Sequence, residues 1–94
     1  AILRYMTELE ARKILEQDGF TQLYVHADGP DFAYPEHEHP VDTTHIIIIG
    51  TMIIKQEGKE IILQVGDRMN FPKGIAHAAK MGPEGCTFIT GIRI

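Results

Sequence analysis

Gly66-Asp67-Arg68-Met69-Asn70-Phe71-Pro72-Lys73-Gly74-Ile75-Ala76-His77 is the stretch of this chain on which the fold turns. Gly66-Asp67 reads as a tight turn, Met69 to Phe71 as a short strand, and Pro72-Lys73-Gly74 as a second turn that launches a strand carrying His77. Upstream stands His37-Glu38-His39. Successive side chains of a strand point to opposite faces, so His37 and His39 share one face and Glu38 takes the other. Two imidazoles on one face can chelate one ion. Antiparallel strands of a small barrel can bring His77 to the same point, so the pattern reads as a metal site inside a β-barrel.

These residues resemble the two motifs of the cupin superfamily, written G-x5-H-x-H-x3,4-E-x6-G and G-x5-P-x-G-x2-H-x3-N. The second runs from Gly66 through Pro72 and Gly74 to His77 and departs only at its last position, where Met81 replaces asparagine. In the first, His37, His39 and Gly50 fall in place, the glutamate position holds Thr43, and the leading glycine is displaced to Gly29. The short interval from Gly50 to Gly66 is similar to that of compact single-domain cupins. The resemblance spans residues 29 to 81 and implies an all-β fold, a cupin-type antiparallel β-barrel or jelly roll, preceded here by a short N-terminal α-helix. It further implies a divalent transition metal (Fe, Mn, Ni or Zn) held by His37, His39 and His77.

Thr43 in place of the glutamate leaves the ligand set without its carboxylate. His45 lies two residues further on the same strand face and is the candidate fourth ligand, a substrate hydrogen-bonding group or a general base. Thr43 is the candidate partner of a metal-bound water; its plain alternative is a β-branched residue chosen for a strand. His45 and Thr43 are therefore the candidate catalytic residues. All-imidazole ligation leaves an ion its full positive charge, which favours oxygen-donor ligands such as diketones, hydroxy acids or sugar acids. The function expected is a small metal-dependent enzyme, a dioxygenase or an isomerase or lyase, acting on a small oxygenated metabolite. The alternative is a non-catalytic ligand- or metal-binding module.

Composition bounds the rest. At 94 residues the chain is one domain, 1–94, with a helix over about residues 8–18 and a barrel over about 20–94. Nine basic against thirteen acidic residues give a net charge of -4, which disfavours a nucleic-acid partner. Serine is absent, so a serine hydrolase is excluded. The single cysteine, Cys86, rules out an intrachain disulfide and suits a reducing compartment; as a nucleophile it has little beside it. The longest apolar run, Ile46 to Ile49, is far short of a membrane span, and the N-terminus carries no secretory h-region or cleavage site. A cytoplasmic protein with no membrane partner is expected, with the start site among Ala1 to Tyr5 ahead of Met6 left open.

Along the chain, Thr7-Glu8-Leu9-Glu10 fits a capping box, an apolar stripe of Leu9, Ala11, Ile14 and Leu15 follows, and Gly19 stops the helix. Thr21 to His26 reads as a strand and Phe32 to His39 as an extended segment broken by Pro35. His26 lies outside both motifs and is left out of the site. Thr43 to Ile49 is apolar on both faces, with Ile47 and Ile49 on the face of His45 and Ile46 and Ile48 on the other. The second face needs a cover: the helix, another strand layer or a second subunit, and a homodimer is the expectation. A final strand, Cys86 to Ile94, is expected after a turn at Gly82-Pro83-Glu84-Gly85. Interior candidates are Tyr34, Ile47, Met52, Ala79, Met81 and Phe88.

Overall fold

Thr7 opens the helix as the capping box requires. Its Oγ1 accepts from the Glu10 N–H at 3.1 Å, although the Glu10 carboxylate then takes the Thr7 hydroxyl at 2.9 Å. A computed structural model describes residues 5–94; residues 1–4, and with them most of the stretch ahead of Met6, lie outside the described residues. Helix α1 is Glu8–Gln17, followed by β1 (Gln22–Asp28), β2 (Ala33–His37), β3 (Asp42–Gln56), β4 (Lys59–Leu63), β5 (Arg68–Phe71) and β6 (His77–Arg93). Every strand pairing is antiparallel.

The architecture is a jelly-roll β-barrel organised on its two long strands. β3 pairs with β6 along most of its length, and each then carries two short strands on its other edge: β5 and β4 on β3, β1 and β2 on β6. Two irregularities in the β3–β6 ladder curve it into a barrel. Ile47 opposes Phe88 and Ile49 opposes Thr87, so Ile48 is an extra residue. Gly50 opposes Cys86 and Met52 opposes Met81, which leaves Gly82 to Gly85 facing Thr51 alone. The expected turn at Gly82-Pro83-Glu84-Gly85 is thus a bulge inside one continuous strand, and the last strand begins at His77 rather than Cys86. Pro83 is tolerated there because a bulged residue has no ladder bond to give.

The first bulge also switches faces. Up to it, Thr43, His45 and Ile47 point inward; beyond it, Met52 and Ile54 do. Ile49 therefore leaves the face of His45 and stands 62% exposed, which corrects the simple alternation expected for this strand. Inside the barrel, Ile47, Met52, Ile54, Phe71, Met81 and Phe88 form one apolar cluster. Outside it, Ala11 and Leu15 of α1 pack with Phe20 on Ile46 and Ile89. The helix is the cover that the outer face of β3 needs. Its buried stripe is narrower than the sequence pattern, since Leu9 is 62% and Ile14 37% exposed. Full burial of a side chain such as Leu15, Ile46 or Ile89 contributes about 1.5–3 kcal/mol. The C-terminal end of α1 is tied down by Arg68 to the Asp18 carboxylate and Arg93 to the Asp18 carbonyl, both guanidinium groups lying against the Phe20 ring. Among the described residues no helix is long and apolar enough to cross a membrane.

Candidate metal centre

Pro72 to Gly74 is the device that assembles the site. The Gly74 N–H donates to the His39 carbonyl at 3.1 Å, and the Lys73 N–H donates to the Asp42 carboxylate at 3.1 Å. The turn therefore holds the backbone around His39 while it starts β6 at His77. His77 is the ladder partner of His37, the last residue of β2. Strand pairing supplies one neighbour of His77 and the turn supplies the other.

One ring nitrogen from each of His37, His39 and His77 lies within 4.8 Å of the others. The His37 Nδ1 is 2.8 Å from the Pro35 carbonyl and the His77 Nδ1 is 3.4 Å from that of Ile75, contacts that place the proton on Nδ1 and leave Nε2 with its lone pair. The Nε2 atoms of His39 and His77 are 3.2 Å apart. A proton on the His39 Nε2, donated to the His77 Nε2, or a cation held between two bare nitrogens accounts for that distance. Nitrogens bound to one ion at about 2.0–2.1 Å stand about 3.0–3.4 Å apart, a spacing the His39–His77 pair already has; with all three within 4.8 Å of one another, the donor types and their convergence suit a divalent transition metal. Phe71 floors the group, with its ring centroid 4.3 Å from that of His77 and 6.1 Å from that of His39.

Electrostatics favour the neutral rings a metal needs. Burial lowers the His39 pKa, and His77 and His37 lower it further. Burial also lowers that of His77, opposed in part by its bond to the Ile75 carbonyl. His45 is pushed down to about 3, mainly by burial and then by His39 and His77. Its Nδ1 lies 3.0 Å from the Thr90 Oγ1. His45 is not among the converging nitrogens; its ring stands 6.3 Å from that of His39, wedged between Phe71 and Phe88. Thr43 is buried, and its Oγ1 donates to the Val41 carbonyl at 3.1 Å. Burial pushes the Cys86 thiol up to about 11, aided by Asp28, which makes it an inert core residue.

A cavity of about 300 Å³ opens before the three histidines. Tyr34, Met52, Ala79 and Phe88 line it as expected, whereas Ile47 and Met81 pack in the core behind the wall. Two features escaped the sequence. His26 lines the same cavity, stacked on Phe88 at 5.0 Å, and Tyr34 donates its hydroxyl to Asp28 at 2.5 Å. Burial and that carboxylate raise the Tyr34 pKa to about 12. A signal for His26 was present: it sits at even spacing from Tyr24 on β1, and both line the cavity.

Neither a protein-family model nor a curated protein matches the chain. Solved structures do. A cupin-2 domain containing protein from Shewanella frigidimarina is 30% identical, over 77% of this chain and 70% of its own, with a TM-score of 0.65. The DMSP lyase DddQ from Ruegeria pomeroyi is 26% identical over 77% of this chain but only 37% of its own, with a TM-score of 0.71. KdgF from Halomonas sp. is 18% identical over 74% of this chain and 67% of its own, with a TM-score of 0.65, a likeness of fold alone.

Proposed function

The chain belongs to the cupin superfamily, and on that premise we propose that it is a small divalent-metal protein in which His37, His39 and His77 hold the ion and a small oxygenated molecule binds in the cavity before them. The observation that carries this reading is the convergence of three imidazole nitrogens within 4.8 Å at a cavity wall, with no carboxylate in the group. When bound, the ion supplies a Lewis acid for an oxygen donor, or a dioxygen site if it is Fe(II). The chain's own residues orient and desolvate. His45, neutral and fixed by Thr90, offers a hydrogen bond beside the site rather than a fourth ligand nitrogen. Thr43, its proton committed to Val41, can accept a hydrogen bond but not donate one. Tyr34 stays a phenol, its proton committed to Asp28, and can accept through its oxygen.

Dioxygenase and isomerase or lyase chemistry both suit such a site, and a DMSP lyase stands among the similar structures. A non-catalytic binding module is favoured by one specific observation. Neither His45, at about 3, nor Tyr34, at about 12, titrates near neutrality, where a general base works best. We take the protein to be a cytoplasmic homodimer; exposed Phe32, Ile49 and Ile62 are the apolar surface that supports an interface, and sedimentation velocity tests it.

Elemental analysis of protein purified without a histidine tag or chelator tests the site. Near-stoichiometric metal that is lost in a His37→Ala/His77→Ala double variant is expected, and its identity then selects the reaction class. Little metal even after reconstitution would overturn the metal reading and leave a ligand-binding barrel.

A further inference from the structure

Beyond the three histidines, the cavity offers a ligand little that is polar. The described residues that line it include no Lys, Arg, Asp or Glu. Its hydroxyl and imidazole groups are largely engaged by neighbours. The Thr43 hydroxyl donates to Val41, His45 and Thr90 pair with each other, Tyr34 donates to Asp28, and Tyr24 donates to Gln22 at 3.1 Å. His26 alone of the polar lining away from the three histidines makes no hydrogen bond among the described residues, and it is stacked face to face on Phe88. The remaining wall is Met52, Ile54, Ala79, Phe88 and Ile92.

Resting on the metal reading above, we infer that this cavity selects a ligand with one oxygen-donor head and an apolar, ring-sized body, and rejects polyols, sugar acids and phosphorylated molecules. Size, charge and hydrogen bonding point the same way. A cavity of roughly 150 Å³ takes up benzene, so about 300 Å³ has room for a ring together with its oxygen-donor head. No basic side chain faces the cavity to neutralise a second anionic group, so a phosphate or a dicarboxylate would leave a charge buried and unpaired. A polyol fares no better. His26, the second ring nitrogen of His45 and the acceptor oxygens of Thr43 and Tyr34 are the few groups left to meet a hydroxyl, and each one beyond them is pressed against Met52, Ile54 or Phe88, at a loss of about tenfold or more in affinity. A phenyl or branched aliphatic body instead buries its surface against those same side chains and the His26–Phe88 stack.

Three α-hydroxy acids with an identical chelating head isolate the body: lactate, mandelate and gluconate. Isothermal titration calorimetry on the metal-loaded protein is expected to give mandelate binding about tenfold or more tighter than lactate, with gluconate no tighter than lactate. Phe88→Leu, which keeps an apolar core residue, is expected to shrink the mandelate advantage about threefold or more, with circular dichroism confirming the fold. Gluconate binding as tightly as mandelate, or a metal-loaded protein that binds none of the three, would overturn the inference alone. A protein that takes up no divalent ion in the same titration series overturns the metal reading and this inference together.

Discussion

His45 is the residue whose chemistry most constrains the protein. It is buried between Phe71 and Phe88, and its pKa is pushed from 6.5 in the free side chain to about 3. A base with a depressed folded pKa binds fewer protons folded than unfolded, so its contribution to stability is complete above about pH 6.5 and falls away toward pH 3. Between pH 7 and 5 this one group accounts for about 2 kcal/mol lost. Urea unfolding at the two pH values checks it, and a His45→Gln variant, which keeps a polar group for Thr90, is expected to lose most of that difference. His39 and His77 shift in the same direction, so a slope persisting in the variant would trace to them. At this scale the sequence was legible where spacing dictates geometry. The close spacing of His37 and His39 and the turn that delivers His77 are local, although β2 ends at His37 and His39 sits in the loop beyond it, so strand alternation does not place it. What His45 touches was not legible, because Thr90 and Phe88 lie on a strand that reaches it only through the ladder. Tyr34 and Asp28, six residues apart, meet across the β1–β2 connection, whose path the spacing does not give.

At the scale of the elements, the expectation of a barrel made from short strands underestimated β3 and β6. Glycine and proline normally punctuate a chain, and Gly82-Pro83-Glu84-Gly85 read as a turn on that ground; a β-bulge uses the same residues without ending the strand. Period-2 reading likewise placed Ile49 inside, and one extra residue at Ile48 was enough to put it out. Bulges have no strong sequence signature, so register across one is lost to any local reading. Gly50 shows what the curvature requires. Its φ is +80°, and a Cβ there would stand 2.1 Å from the Gly85 carbonyl oxygen. Gly58 has φ +75° with nothing within 4 Å of a Cβ. Gly58→Ala thus reports the backbone cost alone, about 1–2 kcal/mol. Gly50→Ala adds a clash with main chain that cannot rotate away, and is expected to cost about 3 kcal/mol more or to prevent folding. Chemical denaturation of the two variants side by side separates the terms; equal losses would mean the long strands can move apart at no cost.

For the whole molecule, the candidate ligands come from the end of β2, the loop beyond it and the start of β6, so an ion joins parts of the chain that are far apart in sequence. The unfolded chain has no preformed site, and binding free energy therefore becomes folding free energy. With free ion at about 100 times its dissociation constant, the gain is about 2.7 kcal/mol, which for a domain of this size raises the melting temperature by roughly 10–20 °C. Adding a chelator is expected to reverse that rise in the native sequence and to do nothing in the His37→Ala/His77→Ala variant. The gain also depends on pH, because the ion must compete with protons for the three imidazoles. Burial already disfavours protonation of His39 and His77, so the metal-dependent part of the melting temperature is expected to hold at neutrality and collapse as the solution is acidified through the range in which these rings protonate. A chelator effect that survives in the double variant would place the ion elsewhere on the barrel, and one that is absent from both would leave the converging histidines to a shared proton.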